Sequence, residues 1–120
     1  MAVDSDELFR IVGTLADAQS IPGGKYTTFK VNGRPFGYYW PRTQTVGLKQ
    51  TLSEQQALVA ERPDVFEIQF TAGGFGWVVV QLAGIEADEL AELVFEAWRL
   101  TAPEQLVADA PDWAESPPAR

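Results

Sequence analysis

The stretch "FKVNGRPFGYYWPR", residues 29–42, sets two alternating runs on either side of Asn32-Gly33. Both turn residues tolerate positive φ, which makes this pair the strongest short-range signal for a hairpin. A two-residue turn fixes the register. Phe29 then faces Phe36, Thr27 faces Tyr38 and Val31 faces Arg34 on one side of the ribbon. Lys30 faces Pro35, Thr28 faces Gly37 and Tyr26 faces Tyr39 on the other. Pro35 has no N–H to give a ladder, so its position points away from a paired neighbour. The fourteen residues hold five aromatics, three positive charges and no acid, within a chain of net charge −8.

Upstream, residues 4–18 predict a helix, with Leu8, Ile11, Val12 and Leu15 at i, i+3, i+4 and i+7. Asp4 and Glu7 have the spacing of a capping box. "SIPGGK" then breaks the chain. Downstream, "TVGLK" (45–49) reads as a third strand with Val46 and Leu48 inward. Ser53 and Gln56 form a second capping box, opening a short helix that stops before Pro63. "VFEIQF" (65–70) alternates, Phe66, Ile68 and Phe70 inward and Glu67 and Gln69 outward. "TAGGFG" is a glycine-rich hairpin turn, and "WVVVQL" (77–82) is a fifth strand. A last long helix over 86–100 buries Leu90, Leu93, Val94, Ala97 and Trp98, and "APEQLV" adds a short helical turn. Residues 109–120, acidic and proline-rich, read as a disordered tail.

The order α-β-β-β-α-β-β-α predicts one α+β domain over residues 1–108. It is a two-layer sandwich, an antiparallel five-stranded sheet with the helices on one face. The open face would carry Tyr26, Thr28, Lys30, Tyr39, Lys49, Glu67, Gln69, Trp77 and Gln81.

Composition limits the chemistry. Neither histidine nor cysteine occurs in the 120 residues, so Ser–His–Asp and Cys–His catalysis, disulfides and thiolate metal sites cannot be built. No nucleophile–base pair stands out, and the expectation is a protein that is not an enzyme and carries no cofactor or metal. The N-terminus has early acids and no apolar core of a signal peptide. No run is long enough to span a bilayer, so a cytoplasmic chain without membrane contact is expected. Charge is uneven: from Ala18 to Ser53 there are five basic residues and no acid, a segment of +5 against −13 for the remainder.

The motifs "FKVNGRPF", "GLK" before "SEQQALVAERPDVF", and "GGFGWVVVQLAGIEADELAELVFEAWRLTAPEQLVA" together resemble the MmcQ/YjbR family over roughly residues 4–108. The resemblance implies a double-wing fold similar to frataxin and CyaY-type proteins, and a DNA-binding label with an undefined physiological role. Glu104 and Gln105 stand where many relatives have basic residues. Thr71, Ala72 and Gly73 stand where relatives often carry a proline and an aromatic. The hairpin from Lys30 to Arg34 is the best match.

Two functions are therefore expected of the open face. In the first, Lys30, Arg34, Arg42 and Lys49 contact phosphates, while Tyr26, Tyr39 and Trp77 stack on bases or pack in a groove. In the second, the same aromatics form a protein-contact or homodimer patch with no nucleic acid. Asp88, Glu92 and Glu96, four apart on the last helix, read as a solvated face rather than an iron site.

Overall fold

A computed structural model describes residues 3–108. Helix α1 (Ser5–Gly13) opens at Asp4, whose carboxylate accepts from the Glu7 N–H at 2.9 Å. The reciprocal half of the expected box is absent, because the Glu7 carboxylate pairs with Arg10 instead. The helix ends five residues before the predicted stop. Thr14 caps it, and Asp17 turns the chain with a φ of 57°.

That early stop releases a strand which periodicity did not reveal. β1 (Ala18–Pro22) pairs with β2 (Thr27–Val31) at one edge of the sheet, and all but its first residue are exposed. Too little of it is buried for a two-residue apolar period to appear. The sheet therefore has six strands and not five. β3 (Arg34–Trp40), β4 (Thr45–Thr51), β5 (Phe66–Ala72) and β6 (Phe75–Gln81) complete it, in the order β1-β2-β3-β4-β6-β5, every pair antiparallel. Asn32 and Gly33 both have positive φ, 53° and 76°, as the predicted turn requires.

Two bulges change the faces read from the sequence. In the β2–β3 ladder Lys30 pairs with Pro35 and Val31 with Arg34, as expected, but Phe29 then pairs with Gly37. Phe36 is the extra residue. It and Gly37 oppose Phe29 together, and a Cβ at Gly37 would lie 3.1 Å from both Leu48 and Phe29. The missing side chain leaves room for Leu48 and Phe29 in the core. Beyond this point parity inverts: Thr27 pairs with Tyr39 and Thr28 with Tyr38. Tyr39 is accordingly core, 4% exposed, and Tyr38 is on the open face. Both assignments reverse the sequence expectation, because an inserted residue swaps every later side chain across the sheet.

The second bulge is in β5. Ile68 pairs with Val78 and Phe70 with Trp77, leaving Gln69 unopposed. Only Phe66 of the three expected inward residues is buried. Phe70 crosses to the open face against Trp77, and Ile68, on an edge strand, is 53% exposed.

Helix α2 (Leu52–Glu61) is capped by Thr51, which accepts from the Glu54 N–H at 3.1 Å, and not by Ser53. It lies close over β6 because Gly76 has no side chain; a Cβ there would meet the Gln55 Cβ at 2.6 Å. Gln55 is buried and donates to the Trp77 and Phe70 carbonyls at 2.9 and 3.2 Å, fastening α2 to the β5–β6 pair. Helix α3 (Ala87–Arg99) buries the predicted stripe, and the Trp98 Nε1–H donates to the Ala16 carbonyl at 2.9 Å. A short α4 (Glu104–Ala108) follows. The helices pack against one sheet face, where Phe29, Phe36, Tyr39, Leu48, Val78 and Trp98 belong to one apolar core. Among the described residues no helix packs on the other face. The expected disordered tail, 109–120, lies outside the described residues.

Candidate nucleic-acid interface

The open face is built around a row of five aromatic rings. Tyr26 precedes β2, Tyr38 and Trp40 alternate on β3, Trp77 comes from β6 and Phe70 from β5. Adjacent centroids are 5.7 Å for Tyr26–Tyr38, 6.1 Å for Tyr38–Trp40, 5.5 Å for Tyr38–Trp77 and 5.1 Å for Phe70–Trp77. β4 runs between β3 and β6, and its residue at the crossing is Gly47, opposite Tyr38 on one side and Val79 on the other. Without a Cβ it lets Tyr38 and Trp77 touch across a whole strand. The Gln69 side chain lies over the same spot, within 2.2 Å of where that Cβ would be, and its Oε1 is buried with no donor among the described residues.

These neighbours change the role of Trp77. It faces the open side, as read from the sequence, but is only 6% exposed. It is the floor of the row rather than a platform for a ligand. The surfaces available to stack are Tyr26 and Phe70, 43% and 41% exposed, with half-buried Tyr38 and Trp40 between them. Tyr39 leaves the candidate site altogether. Its ring packs edge-on against Phe9 at 5.5 Å, and its hydroxyl accepts from Gln44 Nε2 at 2.8 Å. Sequence reasoning missed Tyr38, Trp40 and Phe70. The "YYW" run held the signal for the first two, but parity alone could not say which of the three turned outward.

The predicted cations lie on the strands that the row spans or in the connections between them. Lys30 is half-buried on β2, and Arg34 is exposed at the wing tip. Lys49 on β4 lies beside Trp77 in the ladder, with its Nζ 4.2 Å from the Phe75 ring centre. Burial, and secondarily the charge of Arg34, lower its pKa below that of an ordinary lysine. Arg42 is exposed in the β3–β4 connection, two residues after Trp40, and Lys25 directly precedes Tyr26. Burial, followed by the neighbouring Tyr26, raises the Tyr38 pKa.

Charge divides by layer. Among the described residues Glu67 is the one acid that lies in a strand. The other described acids are on the helices or the connections, where three form ion pairs: Glu7 with Arg10, Glu89 with Arg62, Glu96 with Arg99. A negative chain thus keeps a basic, aromatic sheet face. Among the described residues no helix is long and apolar enough to cross a membrane.

Comparison with known proteins gives relatives but no activity. A family model described as YjbR matches residues 13–100. An uncharacterized protein of Mycobacterium tuberculosis (Rv2570) and one of Mycobacterium bovis (Mb2600) are each 45% identical over 51 residues. Those residues are 42% of this chain and 40% of each relative's length. The crystal structure of Deinococcus radiodurans protein DR2400, a DUF419 domain, aligns with a TM-score of 0.71 at 21% identity, over 81% of this chain and 77% of that one. At that identity the likeness is one of fold.

Proposed function

The chain belongs to the YjbR family, and from that premise we propose that it is a non-enzymatic, cytoplasmic nucleic-acid-binding protein that holds a single strand across its open sheet face. The observation that supports this reading is the row of rings Tyr26–Trp40–Tyr38–Trp77–Phe70 flanked by Lys25, Arg42, Lys30, Lys49 and Arg34. Every base has a π-face, so exposed rings bind a strand with little regard to sequence, at about 1–3 kcal/mol per stacked base. The cations beside the row suit a phosphate backbone, and each neutralised phosphate releases counterions. With neither histidine nor cysteine in the sequence, the roles assigned are positioning and charge neutralisation rather than covalent chemistry.

The test is fluorescence anisotropy of a labelled oligothymidylate. Tyr26→Ala and Phe70→Ala should each weaken binding by roughly tenfold, from the stacking range above. Trp77→Phe should weaken it little, because Trp77 supports the row from below. Equal affinity for the wild type and both alanine variants would exclude stacking as the mode.

A second reading has its own observation. Ile68 and Phe70 are exposed on β5, an edge strand with an unpaired backbone rim. A long apolar edge is a template for pairing with another chain, so a homodimer or protein partner could seat there. Sedimentation equilibrium separates the two readings. A dimer that dissociates on Ile68→Lys, with no oligonucleotide bound by either form, would favour the interaction module.

A further inference from the structure

We propose that Lys49 is an acyl-acceptor site. Its side-chain amine takes an acyl group from an activated donor, a thioester or an acyl phosphate, and the open face loses a positive charge. The sequence holds three lysines, Lys25, Lys30 and Lys49, all within the acid-free window from Ala18 to Ser53. The other cationic side chains are arginines, whose guanidinium stays protonated and is no acyl acceptor. Position in the sequence does not separate the three amines. Their surroundings do.

Lys49 pairs with Trp77 in the β4–β6 ladder and so shares the open face with it. Its Nζ lies 4.2 Å from the centre of the Phe75 ring, two residues before Trp77 on the same side of β6. The ion pairs among the described residues are made by Arg10, Arg62 and Arg99; Lys49 has a ring where those have a carboxylate. The one described strand acid, Glu67, is on β5, beyond β6, and pairs with Val79 rather than with Trp77. Lys25 is exposed in the β1–β2 connection, and Lys30 stands opposite Pro35. Among the described residues the cations that lie over rings are Lys49 and Arg62, and not these two lysines.

Only the unprotonated amine is a nucleophile. Lys49 is half-buried against hydrocarbon, feels the positive charge of Arg34, and has no carboxylate to hold its proton. It therefore releases that proton more readily than an ordinary lysine. In the transfer the Nζ lone pair forms a C–N bond to the acyl carbon. The bond from that carbon to sulfur or to phosphate oxygen breaks, and its electron pair leaves with the thiolate or phosphate. The nitrogen gives a proton to solvent, and no atom changes oxidation state. The product is a neutral amide, free of the desolvation cost of a buried ammonium and of the repulsion from Arg34. Phosphate-bearing donors are anionic, and a basic window favours their approach.

The test treats the full chain with acetyl phosphate at low extent and compares the mark on the three lysines by fragmentation mass spectrometry. Lys49 should carry several-fold more label than Lys25 or Lys30. The preference should vanish when the same reaction is run in concentrated urea, where all three amines are solvated. Arg34→Gln, an exposed change that leaves the core intact, should slow labelling at Lys49 more than at Lys25. The proposal is overturned if Lys25 or Lys30 is labelled as fast as Lys49 in the folded protein. It is equally overturned if the preference for Lys49 persists in urea, or if Arg34→Gln leaves it unchanged. Labelling depends on the surroundings of the amine and on no nucleic acid, so this proposal and the open-face reading fail separately.

Discussion

Gly47 and Gly76 both occupy places where a side chain would collide, yet their substitutions should differ. At Gly47 the new methyl meets only the far end of Gln69, whose Oε1 already lacks a donor. The amide can swing into water, so Gly47→Ala should cost less than about 1 kcal/mol, since the displaced acceptor regains hydration. At Gly76 the methyl meets the Cβ of Gln55, which moves only with α2 itself. Overpacking there should cost about 1–3 kcal/mol and lower Tm by several degrees; paired thermal melts check the contrast. Tyr38 gives a pH signature at the same scale. Burial and Tyr26 raise its pKa above the 10.0 of an ordinary tyrosine. Above that pH the unfolded chain loses the proton while the folded one keeps it, so the contribution present below pH 10.0 is lost as pH rises through the folded pKa. Absorbance titration of the phenolate should show a late-ionising component in the wild type that is lost in Tyr38→Phe.

The two bulges are the elements that set the composition of the open face. Phe36 inserts into β3 and sends Tyr38 outward in place of Tyr39; Gln69 inserts into β5 just before Phe70 joins Trp77. Gln55 holds the second bulge through the Phe70 and Trp77 carbonyls. Gln55→Leu should therefore destabilise the domain by about 1–3 kcal/mol, the range for buried carbonyls left unpaired. It should also raise amide exchange in β5 more than in β2, which hydrogen-exchange NMR can read. These elements also divide what the sequence could reveal. The Asn32-Gly33 turn and the α3 stripe were legible because each has a strong local signature, positive φ in one and a long apolar period in the other. The bulges were not. A single inserted residue breaks no composition rule, and its effect appears only in the strand beyond it, where Tyr38 and Tyr39 look interchangeable. β1 was hidden for a different reason: an exposed edge strand has no buried face to imprint a period. The strand positions of Lys30, Arg34 and Lys49, and that of Tyr26 just before β2, were legible because they do not depend on counting past a bulge.

At the scale of the whole molecule, the opposition between a net charge of −8 and a basic window is resolved by the two layers. The acids gather on the helices and their connections, while the sheet keeps Lys30, Arg34 and Lys49 against Glu67 alone among the described strand residues. The helix layer lies roughly one Debye length or more from a ligand on the open face at physiological salt, so its repulsion is screened there. In the proposed function this face binds a nucleic-acid strand through its charge and its rings together. Salt-titrated anisotropy of a labelled oligothymidylate tests it most directly, comparing the wild type with Lys30→Glu/Arg34→Glu/Lys49→Glu. Lys30, Arg34 and Lys49 should account for roughly −2 of the log–log slope on a single strand, and their replacement should abolish measurable binding. Absence of binding by the wild type at low salt, or equal binding by the triple variant, would contradict the account.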